Sequence, residues 1–322
     1  MDAGAALNAE RLERFAAALD ALAPSGRIGL AVSGGPDSLA LLLLADAARP
    51  GLISAATVDH GLRSEAADEA AMVAALCRAR NIPHATLRVV VEDDTAGVQA
   101  AARKARYAAL AAWAVQQGVT SIATAHHADD QAETLLMRLA RGAGLGGMGG
   151  IRRSRPLADA PDVTLIRPLL DWTKTELEEV VAAARIAPVR DPSNADPRYD
   201  RTRARALLAG GWPDAGRVAA TADHLAEAEE ALAWVTAELA EKRIRLREQE
   251  ATLDASGLPR ELRRRLLVTL FARLAPGVDM RGDSLDRLLQ SLDAQKVTTL
   301  GGFRCDPGPP WRVSRAAARR LA

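Results

Sequence analysis

Six residues near the amino end, Ser33-Gly34-Gly35-Pro36-Asp37-Ser38, follow a short apolar run (27–32) and open a helical pattern. Two glycines let a backbone approach an anion closely, and the free amides at a helix start point toward it. Ser33 and Ser38 add hydroxyl donors, and Pro36 suits a first helical turn, where its missing N–H costs little. This is the composition of a phosphate seat; a capped turn is the purely structural alternative. A Walker A loop would need a lysine followed by Ser or Thr, and none stands here. Asp37 is an acid in an anion site. That makes sense if a cation such as Mg2+ intervenes or if the carboxylate orients donors, so Asp37 is the candidate metal ligand.

Five ionisable groups, His126, His127, Asp129, Asp130 and Glu133, crowd into eight residues after a further apolar run. Asp130 and Glu133 are spaced to share one helix face. Carboxylates so placed can grip an amine or a metal ion, or simply favour the positive start of a helix. HExxH is absent, which excludes a zinc protease of that type. Val58-Asp59-His60-Gly61-Leu62-Arg63 closes another apolar run, where backbone groups can pair with a nucleobase. Arg103 and Arg106, with Tyr107 beside them, present two guanidiniums on one face, fit for a triphosphate or an RNA phosphate. The stretch from Arg141 to Gly147 has GxGxxG spacing but follows a helix, so it reads as a mobile glycine-rich loop rather than a dinucleotide site. From Arg190 to Arg205 a Pro-containing loop enters a basic helix whose Arg198, Arg201, Arg203 and Arg205 can track a phosphate backbone or close internal ion pairs.

The elements that must hold these groups alternate. Strands are expected at 27–32, 52–58, 84–91, 120–125 and 163–166. Helices are expected at 7–22, 37–48, 64–80, 98–117, 128–141 and 173–185. That alternation implies a doubly wound, five-stranded parallel sheet with both faces covered, an α/β Rossmann-like fold whose ligands sit at the carboxyl ends of the strands. Near Gly210-Gly211-Trp212-Pro213 the texture changes to long Ala-, Glu- and Arg-rich helical patterns (215–249, 260–274, 284–292) and a short β-like tail. The expected division is a catalytic domain over 1–213 and a smaller, mainly helical domain over 214–322. Arg243, Arg245, Arg247, Arg263, Arg264 and Arg265 in the latter are candidate RNA phosphate contacts.

Composition bounds the rest. Hydrophobic residues make up 48% of the 322 and aromatics only 3%, so Ala, Leu and Val must fill the core. The formal charge of +1 argues for no partner by itself. Cys77 and Cys305 are far apart, which excludes a disulfide framework and a CxxC site. No basic segment followed by an apolar run opens the chain, and the longest apolar stretch, Leu39–Ala45, is too short for a membrane span, so a cytoplasmic setting without a membrane partner is expected.

SGGPDS at 33–38 resembles the signature of the PP-loop, or N-type, ATP pyrophosphatases, which cleave ATP between the α- and β-phosphates and transfer AMP. Within that superfamily VDHGLR (58–63), ARKARY (102–107), HHADDQAET (126–134), Arg141 with its glycines, and the run from Asp191 to Arg205 resemble the tRNA(Ile)-lysidine synthases. The resemblance implies ATP and Mg2+ as cofactors, with Ser33, Gly34, Gly35, Pro36, Asp37, Ser38, Val58, His60 and His126 at the nucleotide. It implies Asp37, Arg103, Arg106, Asp130, Glu133 and Arg141 in catalysis. Asp130, Glu133, Asp191, Asn194, Tyr199, Arg201 and Arg205 would meet L-lysine and a tRNA(Ile) with a CAU anticodon. A homodimer is compatible with it. Gln99 stands where the family often has an acid, and Thr202 where it has Asn. Family members often carry a further carboxyl-terminal domain, and this chain corresponds to the compact form. Another PP-loop adenylating enzyme, such as a tRNA thiolase or amidotransferase, and a non-catalytic nucleotide-binding protein are the other readings. The absence of a glutaminase domain and the placing of Cys77 in an Ala-rich helical run weigh against the first.

Overall fold

A computed structural model describes residues 8–61, 66–90, 97–189, 200–248, 250–278, 280 and 282–316. Strand β1 (Ile28–Ala31) is buried along its whole length, as expected of a strand covered on both faces. It pairs in parallel with β2 (Ile53–Asp59) on one side and β4 (Ser121–Ala123) on the other. Strand β3 (His84–Arg88) extends the sheet beyond β2, and β6 (Ala160–Ile166) extends it beyond β4, both in parallel. The five expected parallel strands are therefore present. An antiparallel edge strand, β5 (Ser154–Leu157), adds a sixth and gives the order β3-β2-β1-β4-β6-β5. The chain turns away from β1 in opposite directions toward β2 and β4, so the crevice of a doubly wound sheet opens at the carboxyl ends of these two strands.

Helix α2 (Pro36–Ala48) is apolar nearly all round, with Ser38 to Ala45 buried. Such a helix needs neighbours on several sides, and it packs against α1 (Ala9–Leu22) and α7 (Lys174–Ala183). Phe15 of α1 meets Trp172 edge-on at 6.5 Å between ring centroids. With α3 (Ala66–Ala79), which contributes Val73 and Cys77, these helices fill one face of the sheet. Helix α4 (Val98–Gln117) covers the other face through Leu110, Ala111, Trp113 and Ala114. Helices α5 (Ala128–Ala140), α6 (Leu145–Met148) and α8 (Asp200–Ala209) complete this part. The glycine-rich stretch expected to be a mobile loop thus contains a helical turn.

Contacts divide the chain into Met1–Ala226 and Glu227–Ala322. The division falls inside α9 (Ala215–Arg243), not before it at 213, because Ala219 and Ala222 are buried and Asp223 bonds Arg153 at 3.3 Å. The second unit is less helical than expected. The chain leaves α9 at Arg243 and forms a hairpin of β7 (Ile244–Leu246) and β8 (Glu250–Leu253). After the hairpin come α10 (Arg260–Leu274) and α11 (Asp283–Asp293), then β9 (Thr298–Leu300), β10 (Phe303–Asp306) and β11 (Trp311–Arg315). The five strands form an antiparallel sheet, β7-β8-β11-β10-β9. Leu285, Leu288, Leu289 and Leu292 of α11 line a core with Phe271, Phe303, Cys305 and Trp311. Among the described residues no helix is long and apolar enough to cross a membrane.

Gly29 marks where the central strand is most tightly packed. A Cβ there would lie 2.7 Å from the Trp113 ring. The Gly29→Ala variant is expected to lose about 1–3 kcal/mol of unfolding free energy, measured by urea denaturation.

Candidate active site

The phosphate loop leaves β1 and turns at Gly34, whose φ of +86° lies in the left-handed region. A side chain there would also press on Val189 Cγ2 and Met72 Cε, at 3.2 and 3.3 Å. The Gly34 carbonyl accepts the Val189 amide at 3.0 Å. Ser38 Oγ accepts the Ser33 amide at 3.1 Å and donates to the Gly35 carbonyl at 2.9 Å, which sets the curvature of the loop. Gly35 caps α2 without a side-chain bond, and Pro36 occupies the first turn. No cap side chain occupies the first-turn amides, as an anion seat requires.

Across the crevice, β4 runs through Thr124 to the adjacent His126 and His127. The backbone of His127 is still extended, with φ −130° and ψ −177°, and neighbours in an extended segment point to opposite sides. His126 is held by Thr124 Oγ1 at 2.9 Å. His127, 5% exposed, lies among carboxylates. Its Nε2 is 3.5 Å from Asp37 Oδ2 and 3.5 Å from Asp130 Oδ2, and its Nδ1 is 3.4 Å from Asp129 Oδ2. Its amide donates to Asp130 Oδ2 at 3.1 Å. Asp129 also accepts the Lys174 amide at 3.0 Å.

The two histidines titrate in opposite directions. Burial alone would discharge His127, but the carboxylates of Asp129 and Asp37, joined by Asp130, outweigh it and hold its pKa near about 10. Burial of His126, reinforced by Arg167, Arg106, Arg103 and Arg201, pushes its pKa down to about 2. At neutral pH His127 is an imidazolium and His126 a neutral ring. His60, at the end of β2, also stays neutral through burial and Arg106, with Asp59 opposing. The crevice thus has an acid-lined side around His127 and a guanidinium-lined side around His126.

Asp130 and Glu133, expected to grip an amine, already hold guanidiniums. Arg201 bonds Glu133 Oε2 through Nε at 2.6 Å and pairs with Asp130, and Arg205 Nε reaches Glu133 Oε1 at 2.8 Å. Glu133 is 2% exposed and fastens α8 to α5. The structure therefore brings Asp130, Glu133, Arg201 and Arg205 together, and Asp37 joins them from the Ser33–Ser38 loop through His127. Arg103 and Arg106 lie on the His126 side. Val58 sits where β2 continues past Ala56, its last residue paired with β1. Arg141 is an exposed residue paired with Asp200. Asp191, Asn194 and Tyr199 lie outside the described residues.

Two contributors, Arg167 and Arg138, have no motif that marks them in the sequence, and His127 stands there only as one of five crowded ionisable groups; its place just before a helix, with Asp at the second and third positions, is the signal that sets it apart. Arg167 follows β6 at the same sheet edge as the loops after β1 and β4. Arg138 fastens the glycine-rich stretch, donating to the carbonyls of Gly147 at 2.6 Å and Gly150 at 2.7 Å. In the second unit, most of the candidate phosphate contacts are already neutralised. Arg243 pairs with Asp254, Arg247 with Glu250, Arg263 with Asp293, Arg264 with Glu261, and Arg265 with Glu229 and Glu261.

Comparison with known proteins gives likenesses of three kinds. A family model described as the PP-loop domain matches residues 7–210. The tRNA(Ile)-lysidine synthase of Novosphingobium aromaticivorans is 49% identical over 315 residues, 95% of this chain and 94% of that protein. That of Zymomonas mobilis subsp. mobilis is 44% identical over 300 residues, 92% and 91% of the two. Among solved structures, the U34-tRNA thiolase NcsA from Methanococcus maripaludis, with its [4Fe-4S] cluster, matches with a TM-score of 0.56 at 18% identity, covering 68% of this chain and 78% of that one. At that identity the likeness is one of fold.

His127 binds its proton more tightly folded than unfolded, so its stabilisation is complete below about pH 6.5 and is lost as pH rises through about 10. The stability difference between wild type and His127→Gln is expected to shrink across that window, measured by urea unfolding at a series of pH values.

Proposed function

The chain belongs to the PP-loop family and, within it, to the tRNA(Ile)-lysidine synthases, and we infer from this that it is an ATP-dependent ligase that builds lysidine on tRNA(Ile). The observation that carries the reading is the Asp37–His127 contact of 3.5 Å, which brings the phosphate loop and the acid cluster to one crevice. The C2 carbonyl oxygen of the wobble cytidine attacks the α-phosphorus of ATP and diphosphate leaves. The ε-amine of L-lysine then attacks C2, the C–O bond breaks, AMP departs, and one proton goes to a base. Adenylation is needed because a bare carbonyl oxygen is a very poor leaving group.

In this reading Ser33 to Ser38 and the first amides of α2 hold the diphosphate end of ATP, and the backbone about Val58 and His60 meets the adenine. Arg103 and Arg106 draw negative charge to the His126 side. Mg2+ fits the residues present. Asp37 Oδ1 is buried without a partner among the described residues, and Mg2+ commonly takes one or two carboxylates plus substrate phosphates. Asp37 would hold it, and it would supply charge neutralisation at the phosphates. Lysine would bind on the acid side, where Asp130 and Glu133 can receive its amine only by exchange with Arg201. His127 already holds its proton at neutral pH and His126 is too weakly basic, so a carboxylate is the base for the amine. A thiolase reading meets an obstacle, because Cys77 and Cys305 are both buried, with thiol pKa values pushed up by burial to about 11 and about 12. The setting proposed is cytoplasmic.

The second unit is proposed to meet RNA through its sheet rather than its helices. Strand register aligns Arg245, Thr252, Arg312 and Asp306 in one row. The alternate residues Leu253, Val313 and Cys305 enter the core. Among the described residues, Arg245 donates to the backbone carbonyls of Glu241 and Ile244, each at 3.1 Å, which leaves its charge available to phosphate.

Incubation with ATP, labelled lysine and a tRNA(Ile) transcript with a CAU anticodon is expected to label the RNA and release AMP and diphosphate. Asp37→Asn should slow this by about 100-fold or more. Absence of labelling with diphosphate release retained would point to another adenylating enzyme, and absence of both to a nucleotide-binding protein. Replacing Arg245 and Arg312 together by Ala is expected to make the salt dependence of tRNA binding shallower by about one to two charges, measured by filter binding across KCl concentrations. Arg263→Ala should leave it unchanged.

A further inference from the structure

Arg167 is 3% exposed, and this degree of burial is unusual for a guanidinium with no carboxylate partner among the described residues. One of its arms donates to the Arg152 carbonyl, while its Nε is buried with no partner among the described residues. Its charged surroundings are Arg155 and Arg103, with Tyr107 as the acceptor beside it. Arg155 donates to the Pro156 carbonyl at 3.2 Å. The guanidinium carbons of Arg103 and Arg155 each lie 5.1 Å from the centroid of the Tyr107 ring. Arg106 is desolvated too, an effect that Tyr107 partly relieves and Arg103 adds to. Burial would raise the Tyr107 pKa, yet Arg103, Arg106, Arg167 and Arg155 together lower it.

Guanidiniums gathered about one phenol repel one another, and the most buried of them, Arg167, has also lost most of its hydration. Among the described residues, the bonds of Arg155 and Arg167 go to backbone carbonyls and one phenol, which do not offset a net positive charge. An anion from outside would. We propose that Arg155 and Arg167, with Arg103, Arg106 and Tyr107, form an oxyanion pocket that seats a backbone phosphate of the RNA substrate, separate from the phosphate loop. The proposal rests on the reading that the chain acts on RNA. The diphosphate end of ATP already has its seat at Ser33 to Ser38. A base drawn out of its stack brings its own flanking phosphates with it, and planar forks match phosphodiester oxygens two at a time. The pocket lies on the His126 side, so the RNA backbone would be held away from the carboxylates about His127 while its base reaches toward them.

The test measures tRNA(Ile) binding across KCl concentrations and, separately, ATP binding, for wild type, Arg155→Ala, Arg155→Lys and Arg167→Lys. Arg155→Ala is expected to weaken tRNA binding about tenfold and to reduce the salt slope by about one, with ATP affinity unchanged. Arg155→Lys should restore the slope but not the full affinity, because the charge returns without the fork. Arg167→Lys should weaken tRNA binding at an unaltered slope; if that variant does not fold, the Arg155 pair decides. Loss of ATP affinity with tRNA binding intact would give the pocket to the nucleotide's phosphates and overturn the assignment to RNA. No change in either ligand overturns the pocket itself. Failure of the wild type to bind tRNA would bring down the RNA-acting reading and this proposal together, and it would be seen before any variant is compared.

Discussion

A single buried imidazolium holds the crevice together. His127 is shared by Asp129 and Asp130 from its own helix and by Asp37 from the loop after β1. A buried cation is tolerated when paired charges compensate for lost hydration, and carboxylates on two sides do so here. The same contact works in reverse. Without the imidazolium, Asp37, Asp129 and Asp130 would face one another as like charges in a poorly hydrated space. The phosphate loop and the start of α5 therefore have a fixed relation set by electrostatics, in addition to the strand pairing of β1 with β4.

From that fixed relation follows a separation of charge. The reaction must accommodate a polyanionic nucleotide, a polyanionic RNA and an amine that arrives as a cation. A crevice of uniform sign would repel one of these partners. In the proposed reading, acid on the His127 side and guanidinium on the His126 side would give each partner a surface of opposite sign. Glu133, with Arg201 and Arg205, closes the acid side with internal pairs, so a lysine amine would enter by exchange of cations rather than by filling a vacant carboxylate.

Much of the first unit was legible because buried parallel strands and long amphipathic helices leave clear periodicities. Helix α4 has the expected bounds, Val98–Gln117, and α10 the expected Arg260–Leu274. Strand β5 was not seen because Ser-Arg-Pro-Leu has little apolar content and borrows its order from β6. Strand β8 lies just beyond the helical pattern expected over 215–249, and β7 was absorbed into that pattern because its Arg residues favour helix as readily as they coat an exposed strand. Only the pairing that buries Ile244, Ala251 and Leu253 distinguishes the two. At the site, spacing showed that Asp130 and Glu133 share a face, but not that Arg201 and Arg205 would reach that face from α8. Nor could sequence rank two adjacent histidines, whose surroundings come from four separate segments.

The extended backbone at the end of β4 sets how tolerant this segment is to change in length. His126 and His127 face opposite ways because the chain there still alternates from side to side. Insertion or deletion of one residue between Thr124 and Ala128 would turn each ring into the other's surroundings. An imidazolium would then meet the arginines, and the three aspartates would lose their counter-ion. Residue identities along these few positions can drift as long as sign and size are respected, whereas their number cannot. This connection should behave as an indel-free ruler, unlike the surface connections of the same sheet.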